Sequence, residues 1–190
     1  MKAISLFQPH ASLTVHGLKR CLTFSAYFAN RFRPGRVLIH AGSKWTAEFY
    51  DLCRTVPFSE GLAAMNHLLP IPQPNDSHPK PTGMPFGAIV GAVNVLAVIP
   101  TDRVKWNPAS KRYFSYDQFS NQLVVSSDEK AYGDFGDGRV VVLTDRPLVF
   151  AKPIPCVGRQ SVFQVPESVY ADELARAENR RILAETNPVG

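Results

Sequence analysis

The first 47 residues contain no aspartate and no glutamate. They do contain Lys2, Lys19, Arg20, Arg31, Arg33, Arg36 and Lys44, a local charge of +7. The rest of the chain holds fourteen basic and sixteen acidic residues, so the whole excess of +5 lies in the first quarter. Such asymmetry points to a polyanionic partner, unless folding scatters the cations over different faces. Cysteine is scarce as well. Cys21, Cys53 and Cys156 are an odd, widely spaced set. They suggest neither a disulfide framework nor a zinc site and fit a reducing cytoplasm. Long apolar runs are missing: the longest, 87–100, is shorter than a membrane span and includes Asn94. Met1-Lys2 leads into Ser5, Gln8 and His10 rather than an apolar stretch, so no signal peptide is expected.

The familiar phosphate-cradling loops, Gly-x-x-x-x-Gly-Lys-Ser/Thr and Gly-x-Gly-x-x-Gly, are also missing. So are His-Glu-x-x-His and Cys-x-x-Cys. The five histidines (10, 16, 40, 67 and 78) lack ligand spacing, and no metal or cofactor is expected. His10 and His16 are six apart and would point to different sides of a helix.

What remains is a chain of 190 residues, 45% hydrophobic and 19% charged, which can bury a core as one domain. Residues 3–7 read as a strand, followed at Gln8-Pro9 by a two-turn helix with proline at its first position. Gly17 ends that helix, and 18–26 are extended. Arg33-Pro34-Gly35 marks a turn before a strand over 36–41. Apolar spacing over 45–66 predicts helix, divided near Pro57. Residues 67–85 hold six prolines and predict an extended loop. The β-branched run 86–99 predicts a long buried strand bent at two glycines. Residues 101–138 are expected to be a polar surface excursion with one short strand at 122–126. Two strands follow, over 139–144 and 148–150, then an edge or turn over 151–157, a strand over 161–165 and a charged amphipathic helix over 167–185. Strands scattered among a few helices predict an α+β domain built on a small β-barrel with helices at its rim. That domain spans 1–166, with 67–85 and 101–138 inserted, and the helix of 167–190 packs on it or extends from it.

Three places could carry chemistry. Lys19, after the Gly17 turn, could hold phosphate as a point charge, or act as a base or nucleophile if burial lowers its pKa. Thr23 could share its environment; the plain alternative is a solvated lysine beside an ordinary strand threonine. After a proline-bounded turn, Arg159, Gln160 and Ser161 follow Gly158 and offer donors for phosphate or a base edge. His40 and Lys44 flank a strand end, where His40 either faces the core with its hydrogen bonds met or joins the basic site.

Five stretches, in this order, resemble the ASCH domain family of the PUA-like superfamily. They are Ile4-Ser-Leu-Phe-Gln-Pro-His-Ala-Ser-Leu13, Gly17-Leu-Lys19, Gly35-Arg-Val-Leu-Ile-His-Ala41, Pro85-Phe-Gly-Ala-Ile-Val-Gly-Ala-Val93 and Pro153-Ile-Pro-Cys-Val-Gly-Arg-Gln-Ser-Val-Phe163. Together they frame residues 3–165. The resemblance implies a PUA-like barrel, a cleft holding the Gly-x-Lys lysine and RNA as partner. It also implies two alternatives: an amidohydrolase that removes an acetyl group from a modified cytidine, or a ribonuclease. Under it, Lys19 and Thr23 are the catalytic candidates. Lys19, Arg20, His40, Lys44, Arg159, Gln160 and Ser161 are the nucleic-acid-binding ones, and aromatics within 106–119 could add stacking.

The chain departs from the family pattern at telling places. Leu22 stands where a glutamate is common, Phe24 where an arginine is, His10 where a tryptophan is and Asn94 where an acid is. The amidohydrolase branch has its threonine three residues after the lysine, and here Thr23 is one later. A carboxylate for that chemistry has to come from elsewhere, such as Asp128, Glu129, Asp134 or Asp137. A third possibility is a protein-interaction domain that docks through the C-terminal helix.

Overall fold

A computed structural model describes residues 1–110 and 113–186. Among these described residues, nine strands and five α-helices run in the order β1 (Lys2–Leu6), α1 (His10–Val15), β2 (Cys21–Ser25), β3 (Gly35–Ala41), α2 (Ala47–Cys53), α3 (Phe58–Ala64), β4 (Ala88–Pro100), β5 (Val104–Trp106), β6 (Ser115–Asp117), β7 (Gln122–Val125), α4 (Ser127–Ala131), β8 (Arg139–Pro155), β9 (Val162–Gln164) and α5 (Glu167–Thr186). The class is α+β. Six strands form one curled sheet, a half-barrel in the order β2-β8-β4-β3-β1-β9. Within this sheet, among the described residues, only β1 and β3 are parallel, so their N-terminal ends lie together at one end.

The sheet is covered on both faces because successive side chains in a strand point opposite ways. Ile4, Ile39, Val93 and Val142 gather with Ala11 and Val15 of α1. Their neighbours Ala3, Leu38, Ala92 and Leu148 gather with Tyr170 and Ala177 of α5. The sheet bends where its register shifts, at Ile39/His40 and at three places between β4 and β8. Gly91 occupies one such place: a β-carbon there would lie 2.0 Å from the Leu148 carbonyl oxygen and 2.8 Å from Val15. Only glycine lets β4 pass between β8 and α1.

Two expectations need correction. Residues 101–138 are not a mere surface excursion with one strand. They form a second sheet, β5-β7-β6, followed by α4. Val104, Leu123 and Val125 pack on Cys21, Ile99, Val141 and Leu143 of the large sheet. The apolar signal is spread over three short strands, too thin to show in sequence. Residues 139–155 are one strand rather than two, kinked at Arg146 with φ 45°. The strand continues through Pro153 to Pro155, with Ile154 opposite Ile89 and Pro155 opposite Ala88. Prolines fit here because β2 pairs with β8 only as far as Leu143, leaving the other side free. The division of 45–66 at Pro57 matches α2 and α3, and 67–85 contain only isolated bridges, Leu68–Thr82 and Gln73–Asp76. Among the described residues no helix is long and apolar enough to cross a membrane.

Candidate functional site

Helix α1 ends at His16, and Gly17 takes φ 76°, which reverses the chain. The amides of Leu18 and Lys19 both donate to the Leu13 carbonyl. This tight turn drops the Lys19 side chain inward, between α1, β2 and the segment after α4. Lys19 is only 3% exposed, and its Nζ donates to the Tyr132 carbonyl oxygen at 2.6 Å. Burial lowers its pKa, and the Glu129 charge opposes that shift. The solvated alternative therefore does not hold, and Lys19 is not a rim cation.

Glu129 arrives from α4, which is capped by the Ser126 hydroxyl accepting from the Glu129 amide. Its Oε1 accepts from the Arg20 amide at 2.6 Å and its Oε2 from the Cys21 amide at 3.1 Å. Burial pushes its carboxyl pKa up, against the pull of Lys19 and of these two donors. Glu129 thus pins the start of β2. No carboxylate lies within ion-pair distance of Lys19 Nζ among the described residues.

A cleft of about 530 Å³ opens against Lys19. Leu6, Phe7, Leu22, Phe24 and Phe58 form apolar walls, and His10, Thr23, Asp134 and Arg139 add polar groups. The Thr23 hydroxyl accepts from the Asp134 amide at 3.1 Å, and Arg139 pairs with the Asp134 carboxylate at 3.2 Å. The His10 ring meets the edge of Phe58 at 5.5 Å. Its Nδ1 is buried without a hydrogen-bond partner. Burial, with Lys19 nearby, pushes the His10 pKa down to about 3, so the ring is neutral near pH 7.

The structure divides the remaining candidates. Lys44 lies exposed over the ring of the wall residue Phe7 at 5.9 Å and lines a separate depression with Trp45 and Asp76. Arg20 turns away to stack on Phe114 at 4.2 Å, beside a smaller cavity of about 170 Å³ that Asp128 also lines. His40 is buried one layer behind the cleft wall. Its Nε2 donates to the Cys156 carbonyl at 3.0 Å, which leaves Nδ1 to accept from the Ser5 hydroxyl at 2.9 Å. This is a core histidine with both nitrogens satisfied, and burial lowers its pKa. Gly158 rests on that ring, since a β-carbon there would lie 2.1 Å from Cε1. Ser161 is buried, has φ 68° and accepts the Ser5 amide at its carbonyl. Arg159, Gln160 and Asp137 are exposed and do not line the cleft. Of the seven binding candidates, only Lys19 lines the cleft, and Lys44 lies over the Phe7 ring that walls it. Arg20, His40, Arg159, Gln160 and Ser161 lie outside it.

Three contributors escaped the sequence-based candidates: His10, Arg139 and the Tyr132 carbonyl. His10 stands at the aromatic position of the helix-start motif, which is a usable signal. A backbone carbonyl has none. A scan against protein-family models finds no match for the chain, and a search of curated proteins finds none either.

Proposed function

We propose that the protein binds nucleic acid, RNA foremost, by taking one base of a single strand into the cleft at Lys19. The observation that carries this reading is the cleft itself: flat apolar and aromatic walls, with a buried lysine, a neutral imidazole and a hydroxyl at polar positions. Its volume of about 530 Å³ falls within the roughly 300–1,000 Å³ usual for small-ligand sites. Unstacked bases are recognised in such slots by stacking and by hydrogen bonds to their edges. Lys44, over the Phe7 ring, offers a phosphate contact, and Phe7, 47% exposed, offers a stacking face. The motif order that resembles the ASCH family supports the same reading. Fluorescence titration of a labelled single-stranded RNA tests it. Phe7→Ala should weaken binding by about 1–3 kcal/mol, the usual worth of one base–aromatic stack. Lys19→Met should weaken it as well. Affinity unchanged in both variants would sink the reading.

One arrangement favours a second reading, hydrolysis of an acylated nucleoside. Lys19, desolvated, shares the cleft with the Thr23 hydroxyl and with Asp134. Amide hydrolysis needs a base and a donor for the oxyanion. Asp134, however, is held by Arg139, and Lys19 has no paired carboxylate, so binding has the stronger support. Turnover of N4-acetylcytidine above a Lys19→Met control would reverse that order. Helix α5 already buries Tyr170, Glu173 and Ala177, so nothing favours its docking on a partner.

A further inference from the structure

The cations of the acid-free segment do not all serve the cleft. Lys2, Arg31, Arg33 and Arg36 surround a depression of about 250 Å³ at the other end of the large sheet. The topology explains the convergence. Lys2 opens β1 and Arg36 lies at the start of β3, and these parallel strands begin side by side. Arg31 and Arg33 flank Phe32, which is 4% exposed and buried against Phe24 at 4.6 Å. With Phe32 extended and anchored inward, its two neighbours face out. The cleft begins at the opposite, C-terminal end of β1, at Leu6 and Phe7.

Three of these charges have no acidic partner among the described residues. Lys2 Nζ reaches the Arg31 carbonyl at 3.4 Å, Arg31 lies over the Phe28 ring at 4.9 Å, and Arg33 donates to the Phe32 carbonyl at 2.7 Å. Only Arg36 is matched, by Glu178 of α5, and it also donates to the Arg146 carbonyl at 2.8 Å. Guanidinium groups held by backbone carbonyls keep their remaining N–H donors in a fixed fork, which suits phosphate oxygens.

We infer that this depression is a second phosphate-binding site that grips the backbone of the same nucleic acid, remote from the cleft. The inference rests on the nucleic-acid reading for its ligand but not on the cleft for its binding. A second contact on one strand raises affinity only for strands long enough to reach both sites.

The experiment uses fluorescence-labelled single-stranded RNA of 4 and 16 nucleotides, titrated at several salt concentrations. Wild type is compared with Arg31→Gln/Arg33→Gln, with the charge reversal Arg31→Glu/Arg33→Glu, and with Lys19→Met. Arg31 and Arg33 are exposed, so both double variants should keep the wild-type melting temperature, which is measured alongside. The glutamine pair should bind the 16-mer about tenfold more weakly and reduce the log–log salt slope by about 1.4, some 0.7 for each lost phosphate contact on a single strand. The glutamate pair should weaken it further, while 4-mer affinity stays unchanged. A loss confined to the 16-mer supports the second site even if Lys19→Met has no effect, an outcome that would remove the cleft reading alone. A 16-mer affinity and salt slope unchanged in both double variants would overturn the second site while leaving the cleft intact. Failure of the wild type to bind either RNA would overturn both.

Discussion

An imidazole set in a buried wall next to a lysine resists a proton for two reasons: lost solvation and like charge. His10 shows both, and its pKa falls from 6.5 to about 3. Because the folded value lies below the unfolded one, the unfolded chain takes up a proton between those values that the folded chain refuses. Stability contributed by the neutral ring is therefore full above pH 6.5 and lost progressively as pH falls toward 3. At about 1.4 kcal/mol per unit, lowering the pH from 7 to 4 costs about 2–3 kcal/mol, allowing for the ring's partial opening to the cleft. Urea unfolding of wild type and His10→Phe at both pH values checks this. The acid-induced loss should be about 2 kcal/mol smaller in the variant; equal losses would show that His10 is not the group responsible. Lys19 follows the same sign, since its lowered pKa makes its burial less costly as pH rises.

Among the elements, the long strand β4 is the most legible, the even longer β8 reads as two strands, and the short ones are the least legible. A run of β-branched residues from Ala88 to Ile99 announces a buried strand whatever surrounds it. The three-residue strands β5 and β6 announce nothing, because their pairing with β7 depends on register rather than composition. Gly91 illustrates the limit at one position. Its presence suggested bending, but only the structure shows a carbonyl 2.0 Å from where a β-carbon would stand. Gly91→Ala should thus separate β4 from β8 or push α1 outward, lowering stability by about 2–3 kcal/mol, as overpacked cores do. A melting temperature within a degree of wild type would contradict that account. The site divided in the same way. Lys19 and Thr23 were visible from a turn and a strand, and Glu129 stood among four candidate acids. Arg20, which follows Lys19 directly, belongs to the opposite side of the turn, and adjacency in sequence gave no warning of it.

At the scale of the whole molecule, the positive excess of the first quarter, Arg20 on Phe114 aside, separates into two groups at opposite ends of β1. One is Lys19, buried against the cleft, with Lys44 over the Phe7 ring, and the other is exposed around Arg31 and Arg33. Net charge alone could not distinguish these, because the separation is made by the parallel start of β1 and β3. The buried member also reports on motion of the molecule. An amine-reactive reagent at pH 8 should label the exposed Lys2, Lys44 and Lys80 promptly. Lys19 should be labelled more slowly by on the order of a hundredfold or more, since it reacts only from opened states. Peptide mapping over a time course measures this, and labelling of Lys19 at the pace of Lys44 would show that the site is open.

The grip of Glu129 on the first amides of β2 joins segments 108 residues apart. Such a closure carries a large entropic cost that neighbouring contacts do not share. The half-barrel can begin to assemble from β3 and β4, but the lysine stays wet until the distant carboxylate arrives. The finished cleft therefore depends on a long-range closure: the part of the molecule that would meet a ligand is complete only with the second sheet docked.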